Sequence, residues 1–257
     1  MFIYIVFLLI TLLLLAFVFY NVQYFMIFTP TYKRAKELDE SCEILSITTK
    51  DGIELEGVCY TPSNPKETLL FFAGRSHDSV GLISKLSQAY PKYRIISFNY
   101  RSYGKSKGKI TEKILYSDAL EILSLVKKHY GEFYLLGFSL GSSIVSYVSQ
   151  TQQSKGVFLV GAFDSIASLI KTKYKFSLSK LLRYKFDTLS YSKNINTRTY
   201  MFSSKNDTIT YYKNAINLSK NIKNLKDFVT IEEVSHQDLL WHKDVIDKIK
   251  KVIDNDT

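Results

Sequence analysis

Cysteine is scarce in this sequence. The two cysteines, Cys42 and Cys59, follow no metal-ligand spacing and no disulfide framework, so we expect free thiols and a reducing compartment. Proline is scarce too, with four among 257 residues, while 46% of the residues are hydrophobic. This composition excludes bulk disorder and is typical of one generous domain with an appendage.

Acidic residues are outnumbered in this chain. It has 24 aspartates and glutamates against 34 lysines and arginines, which gives a net charge of +10. Such an excess indicates either a lysine-rich solvated surface or an attraction to anionic lipid headgroups or nucleic acid. The sequence contains no nucleic-acid-binding motif, and its first thirty residues favour lipid. We therefore expect a membrane, and no nucleic acid, among the partners.

Charged side chains are absent from the first twenty residues, MFIYIVFLLITLLLLAFVFY. This length suffices to cross a bilayer core, which needs about 20 apolar residues. A cleaved signal peptide would have a basic start, a shorter apolar run and a small-residue cleavage site, and the segment has none of these. Its uniform apolarity and terminal position disfavour a buried core helix. We predict an uncleaved transmembrane anchor over residues 1–22 and a juxtamembrane connector over residues 23–42.

The residues that follow the anchor predict its orientation. Aromatic residues occupy the exit, where an interfacial belt is expected: Tyr20, Tyr24 and Phe25. Basic residues come next, at Lys33, Arg34 and Lys36, although three acidic residues lie close by. The lysine and arginine bias places the C-terminal side of the anchor in the cytoplasm.

Residues 43–257 have the pattern of a single α/β domain. Alternating apolar and polar residues around the turn dipeptide Asp51-Gly52 predict a β-hairpin. Short runs rich in apolar residues predict strands of a mostly parallel sheet at 68–74, 93–100, 134–139, 156–163, 199–207 and 227–235. Helical patterns fall between them at 111–131, 141–151, 210–222 and 238–253. Such alternation predicts a doubly wound α/β fold with helices on both faces.

One stretch, residues 164–195, is longer than a single crossover helix requires. We predict that it forms a crossover helix and a small lid. Basic residues alternate there with large apolar ones: Lys171, Lys173, Lys175, Lys180, Arg183 and Lys185 with Tyr174, Phe176, Leu181, Leu182, Tyr184 and Phe186. This pattern fits either a solvated basic face over core contacts or a lid on the membrane surface, with cations on lipid headgroups.

Ser139 is the candidate nucleophile. It follows an apolar run in Gly137-Phe138-Ser139-Leu140-Gly141, and a helical pattern follows it. Glycines on both sides let strand and helix approach closely around a strained turn that exposes the serine hydroxyl. A serine alone is a weak nucleophile, so a base and an orienting carboxylate must follow, in the chain order serine, acid, histidine.

Histidine is also scarce, with four residues, and we choose the candidate base among them by its position relative to the predicted strands. His236 directly follows the last predicted strand, where a base belongs. His77 and His129 lie outside the expected place, and His242 falls within the next helix and is the weaker candidate. For the acid, Asp207 ends the preceding strand, and Asp164, after the strand before that, is the alternative. We predict a catalytic triad of Ser139, Asp207 and His236.

An oxyanion hole requires two backbone N–H donors. The first should come from Leu140, directly after the nucleophile, and the second from the loop that follows the strand at 68–74. Gly74-Arg75 is the natural place in that loop, so we predict the Arg75 amide as donor. The Arg75 side chain either binds an anionic group of the substrate or forms a surface salt bridge.

These blocks resemble the α/β-hydrolases, and more narrowly the membrane-anchored serine hydrolases of the Bem46 type. The segments that carry the resemblance are FNYRSYGKSKGKITEKILYSDA, SSKNDTIT and VSHQDLLW, and the likeness spans residues 43–253. The resemblance implies esterase, lipase or thioesterase chemistry. Three departures fall near the oxyanion loop: Ala73 replaces a usual histidine, Asn99 a usual aspartate and Ser102 a usual glycine.

The sequence therefore predicts a membrane-anchored serine hydrolase. It would cleave carboxylic esters or thioesters through an acyl-enzyme, on lipid-like substrates or acylated proteins, without a metal or an organic cofactor. A second hypothesis is a non-catalytic, membrane-tethered binding or scaffold protein that retains the fold, because fold does not imply function. A peptidase or haloperoxidase on the same scaffold is a third.

Overall fold

The apolar N-terminal segment forms one long helix. In the computed structural model, which describes residues 2–34, 38–177 and 179–256, helix α1 spans Phe2–Ile27. Its most apolar 18-residue window has a mean hydropathy of 3.1 and is exposed along its length. Its 26 residues extend about 39 Å at 1.5 Å per residue, against a bilayer core of about 30 Å. The helix is long and apolar enough to span a membrane, and it continues past the predicted boundary at residue 22.

A mostly parallel sheet forms the centre of the domain. Within the described ranges its strand order is β1-β2-β4-β3-β5-β6-β7-β8. The strands are β1 (Cys42–Thr48), β2 (Glu54–Tyr60), β3 (Thr68–Phe72), β4 (Arg94–Phe98), β5 (Tyr134–Phe138), β6 (Gly156–Val160), β7 (Thr199–Ser204) and β8 (Leu225–Ile231). Strand β2 is antiparallel to β1 and β4, and the other pairs are parallel. The predicted hairpin is confirmed, with Gly52 at φ +79° in its turn.

The short apolar runs are strands that the helices cover on both faces. Every residue of β3, β5 and β6 is buried. The remaining helices are α2 (Ser79–Ala89), α3 (Glu112–Tyr130), α4 (Leu140–Val148), α5 (Ile166–Tyr174), α6 (Thr188–Ser192), α7 (Tyr212–Ser219), α8 (His236–Leu239) and α9 (Lys243–Asp254). Side chains of α3, α4 and α7 pack on one face of the sheet, and those of α2 and α9 pack on the other. The predicted doubly wound α/β architecture is confirmed.

Helix α2 is absent from the helices that the sequence predicts. It carries Gly81 as its third residue, and a glycine inside a helix lowers helix propensity by up to about 1 kcal/mol relative to alanine. The structure gives the reason for this glycine, because a Cβ at that position would lie 1.8 Å from the carbonyl oxygen of Lys33. Asp78 compensates by capping the helix through the amide of Val80. Tertiary packing thus overrides a weak local signal.

The segment that leaves α1 packs into the domain. Phe28 is 1% exposed and lies against the rings of Tyr184 and Phe186. Further along, Arg34 forms ion pairs with Glu56 and Asp78. The described part of the predicted connector is therefore bound to the domain surface and does not hang free. Lys36, one of the cations used to predict orientation, lies outside the described residues.

The lid, residues 164–195, connects β6 to β7 through α5, a 3-10 turn (Ser179–Leu181) and α6. Its large side chains divide into two groups. Leu182, Tyr184 and Phe186 are buried in the core, as in the first of the two interpretations. Tyr174, Phe176 and Leu181 are about half exposed, as in the second.

Candidate active site

Ser139 lies on the turn between β5 and α4, with φ 53° and ψ −116°. A positive φ is strained for a residue that has a side chain, and such strain is typical of functional sites. Glycine is required on both sides of this turn, at 137 and 141, because neighbouring backbone atoms lie too close to admit a Cβ. A Cβ on Gly137 would lie 2.6 Å from the carbonyl oxygen of Gly141, and a Cβ on Gly141 would lie 2.0 Å from that of Phe72.

The structure brings Ser139, His236 and Asp207 into one hydrogen-bonded line. His236 Nε2 lies 2.9 Å from Ser139 Oγ, and His236 Nδ1 lies 2.7 Å from Asp207 Oδ2. The carboxylate can only accept, so Nδ1 carries the proton and Nε2 is free to accept the serine proton. All three residues are at most 9% exposed, and the ring of Phe138 stacks on the imidazole.

The loop after β7 holds the Asp207 carboxylate in place. Oδ1 accepts hydrogen bonds from the amides of Ile209 and Thr210, each at 2.8 Å, and Oδ2 accepts one from the Thr210 hydroxyl at 2.6 Å. Burial by itself raises the pKa of Asp207, but the hydrogen bonds from His236 and Thr210 outweigh burial and hold this pKa below its ordinary value. Sequence reasoning does not single out Thr210. The Asx turn at Asp207 is closed by the amide of Ile209, two residues on, and Thr210 follows it.

The other acid candidate has different partners. Asp164 is buried, and its carboxylate accepts hydrogen bonds from Ser168, Asn214 and Asn217, together with the amide of Ser165. These contacts join the start of the lid to α7. Its oxygens are thus occupied away from His236.

The remaining histidines are spread over the domain. His129 lies in the last turn of α3, as predicted. His242 does not lie inside a helix, because the predicted helix is divided into α8 and α9. His242 precedes α9 and caps it, with its side chain accepting a hydrogen bond from the amide of Asp244. His77 lies in the loop after β3, with its ring 5.7 Å from that of Phe138, and burial lowers its pKa.

The two residues predicted to supply the oxyanion donors, Leu140 and Arg75, line one cavity with Ser139. Leu140 is the first residue of α4, where the backbone N–H groups have no acceptor within the helix. Arg75 lies in the loop after β3 and lines the same cavity as Ser139 and Leu140. The Arg75 side chain donates to the carbonyl oxygen of Met26 in α1.

Comparisons with known proteins agree with the fold. A family model described as alpha/beta hydrolase fold matches residues 69–184. An esterase of Pyrococcus furiosus superimposes with a TM-score of 0.67 at 16% identity, over 88% of this chain and 98% of that chain. The esterase domain of a Rhodothermus marinus protein gives 0.60 at 17%, over 82% and 95%. The alpha/beta hydrolase GrgF from a Penicillium species gives 0.63 at 13%, over 83% and 96%.

The chain has the α/β-hydrolase fold. At these sequence identities the likeness establishes the fold and does not identify a substrate. The order of the three site residues along the chain, Ser139, Asp207 and His236, is the order expected of this fold.

The structure accounts for two of the departures from the hydrolases that the sequence resembles. Asn99 donates from Nδ2 to Asp78 at 2.9 Å and to Glu56 at 3.2 Å, and its Oδ1 accepts the amide of Ser79. An aspartate there would add a third carboxylate to this cluster. Ser102 has φ +68°, which explains why glycine is usual at its position. The carbonyl of Ala73, at the third departure, accepts a 2.6 Å hydrogen bond from Tyr100.

A cavity of about 220 Å³ opens at the Ser139 hydroxyl. The end of α1 contributes Met26 and Ile27 to its wall, and α5 contributes Ile166 and Ile170. The loop at 208–211, next to Asp207, closes one side. The site of this hydrolase fold is therefore built from the domain, the lid and the membrane-anchor candidate together.

Proposed function

We propose that this protein is a membrane-anchored serine hydrolase that cleaves carboxylic ester or thioester bonds through an acyl-enzyme. The observation that carries the proposal is the pair of contacts on His236, at 2.9 Å to the Ser139 hydroxyl and 2.7 Å to the Asp207 carboxylate. An imidazole held in this way can take the serine proton as the hydroxyl attacks a carbonyl carbon.

The reaction takes two halves. In the first, His236 takes the proton of Ser139 and passes it to the leaving alcohol or thiol, which leaves the acyl group on the serine. In the second, His236 takes a proton from water as the water attacks the acyl-enzyme, and it then returns this proton to Ser139 Oγ as the bond to the acyl group breaks and the acid departs. Asp207 holds the imidazole tautomer and stabilises its charged form.

The developing negative charge needs donors at the carbonyl oxygen. We assign these to the amides of Leu140 and Arg75, because both residues line the cavity at Ser139. The N-terminus of α4 adds a favourable dipole at the same place. Losing one such donor typically slows an enzyme by about a hundredfold or more.

The membrane is the source of the substrate in this proposal. Helix α1 anchors the chain, and the lysine and arginine bias after it puts the domain on the cytoplasmic face. The exposed Tyr174, Phe176 and Leu181 of the lid lie beside α1, where a bilayer surface would cover them. Membrane lipids or acylated proteins are thus the substrate class, in keeping with the resemblance to hydrolases of the Bem46 type.

Fluorophosphonate labelling of the full-length protein in detergent tests the catalytic proposal. We expect wild type to be labelled and Ser139→Ala to be unlabelled. Ser143→Ala is the matched control, because Ser143 is a buried serine on the same helix and outside the hydrogen-bonded line. A folded wild type that resists the probe would overturn the proposal and favour the binding or scaffold hypothesis.

A further inference from the structure

A second cavity continues the one at Ser139. Its volume is about 230 Å³, and it lies between α1, α5 and the end of the lid. The two cavities share Met26 and Ile27 of α1 with Ile166, Ile170 and Tyr174 of α5. Because five side chains border both spaces, they are parts of one groove that begins at the nucleophile.

The far part of the groove is lined by hydrocarbon. Phe19 of α1 and Leu182 of the lid join the shared isoleucines there. Gln23 is the amide in this wall, and both ends of its side chain bind lid backbone: Nε2 donates to Leu181 O at 3.1 Å, and Oε1 accepts the Arg183 amide at 2.7 Å. The polar atoms of Gln23 are thus satisfied by the lid, which leaves an apolar lining for a ligand.

The groove is held in shape by several contacts between α1 and the lid. Besides the two Gln23 hydrogen bonds, the Arg183 guanidinium stacks 4.7 Å above the ring of Tyr20. Phe28 packs edge-on against Tyr184 at 5.0 Å. These contacts flank the groove along α1, so α1 is a fixed wall and not a loose tether.

The groove runs toward the membrane interior. Phe19 and Ile27 are eight residues apart, or about 12 Å along the helix axis at 1.5 Å per residue. The predicted anchor ends at residue 22 and its aromatic belt begins at Tyr20, so Phe19 lies at the edge of the segment that would cross the bilayer. A chain that enters beside Phe19 comes from the edge of the hydrocarbon core and reaches Ser139 along a largely apolar wall.

We propose that this groove is the acyl-chain site of the enzyme, that its ligand is a long alkyl chain, and that α1 serves as both membrane anchor and substrate wall. The inference rests on the proposed function, because the chain must belong to the acyl group that Ser139 receives. The carbonyl lies at Ser139, and the chain extends along α5 and α1 toward Phe19. A short acyl group fills only the first cavity, so the site discriminates by chain length.

Photo-crosslinking in the wild-type, full-length protein tests the path directly. The probes are two fluorophosphonates with a terminal diazirine, one on a butyl and one on a dodecyl chain. After Ser139 has reacted, light attaches the chain end to its neighbours, and mass spectrometry locates the attachment. We expect the dodecyl probe to mark Phe19 or Gln23 of α1, which line the second cavity and not the first, and the butyl probe to mark residues of the first cavity.

A filled groove provides an independent measurement. Ile170→Trp places a large ring where the two cavities meet, and Lys171→Trp places the same ring on an exposed position of α5 outside both linings. We expect the ratio of dodecyl to butyl labelling rates to fall at least tenfold in Ile170→Trp and to stay within twofold of wild type in Lys171→Trp.

The outcomes separate the two proposals. Failure of the butyl probe to label the folded wild type refutes the proposed serine chemistry. Labelling by both probes, with dodecyl attachment away from α1 or an unchanged ratio in Ile170→Trp, overturns the acyl-chain site and leaves the serine chemistry standing.

Discussion

The Tyr103 hydroxyl donates a 2.6 Å hydrogen bond to the carbonyl oxygen of Arg75 and accepts one of 2.8 Å from the amide of Thr29. Tyr103 is fully buried, and burial raises its pKa, so the phenol keeps its proton and remains a donor. This one hydroxyl joins the exit of α1 to the proposed oxyanion loop. The Arg75 side chain makes a second link between the same segments, to Met26.

Tyr103→Phe therefore affects both stability and rate. Removing the hydroxyl leaves Thr29 N–H and Arg75 C=O without this partner, which lowers the free energy of unfolding by about 1–3 kcal/mol. A small displacement of the Arg75 amide slows acylation by roughly ten- to a hundredfold. Thermal unfolding and fluorophosphonate labelling rates of the full-length protein in detergent measure the two effects.

Tyr90→Phe is the control for this change. Tyr90 is also fully buried, but among the described residues its hydroxyl has no hydrogen-bond partner. Its removal should leave the labelling rate unchanged and the melting temperature equal or higher. If Tyr103→Phe matches Tyr90→Phe in both measurements, the hydroxyl bridge has no effect on the loop.

The glycine after the nucleophile should be irreplaceable for a steric reason. In Gly141→Ala the new Cβ would lie 2.0 Å from the backbone oxygen of Phe72, so β3 and α4 would have to separate. We expect a loss of about 4 kcal/mol or more, or failure to fold. In Gly131→Ala nothing lies within 4 Å, and only the backbone conformation, with φ +78° and ψ −148°, opposes the change, at about 1–3 kcal/mol. Similar melting temperatures for the two variants would contradict this account.

Asp207→Asn should nearly abolish turnover while preserving the fold. An amide in that place cannot stabilise the charged imidazole and favours the wrong tautomer of His236, which slowed a related triad by about 10⁴-fold. Hydrolysis of a short activated ester measures the loss. A reduction below tenfold would mean that the carboxylate is not part of the catalytic apparatus.

The same variant, Asp207→Asn, tests how the stability of the protein depends on pH. The pKa of Asp207 in the folded protein lies below its ordinary value of 3.8, because the hydrogen bonds from His236 and Thr210 outweigh burial. A carboxyl of this kind adds stability that is complete above its unfolded pKa and is lost as the pH falls through the folded pKa. The gap in melting temperature between wild type and Asp207→Asn should therefore be constant above about pH 5 and close below about pH 4. If the gap in melting temperature persists unchanged below about pH 4, folding does not lower the pKa of Asp207, and the prediction is wrong.

The parts of this molecule that the sequence predicts are those with a strong local pattern. Ser139 and Asp207 follow the buried strands β5 and β7, and His236 follows the partly exposed last strand β8. The fold and the order of these residues along the chain were therefore enough to predict that the three meet. Asn99 is different. Asparagine at this position is explained by its hydrogen bonds to Glu56 and Asp78, which are distant in sequence and lie next to it only in the folded protein.

The position of α1 is the clearest limit of sequence reasoning. Apolarity predicts a helix that could span a bilayer, but nothing local predicts that its last turns border the cavity at Ser139. That information lies in pairs such as Gln23 with Arg183, which are 160 residues apart. A lone glutamine in an apolar helix is nevertheless a readable signal, because a buried amide requires partners.

Gln23→Leu tests whether these pairs fix α1 to the lid. The substitution removes both hydrogen bonds to lid backbone, and we expect a loss of about 1–3 kcal/mol together with faster tryptic cleavage among the lysines and arginine of the lid. Asn21→Leu is the matched control, since Asn21 lies on the same helix, is exposed, and binds only the carbonyl of Phe17 one turn earlier. Leucine at position 21 faces lipid or detergent and should leave both the stability and the cleavage rate unchanged. Equal cleavage rates in the two variants would mean that the lid holds its place without α1.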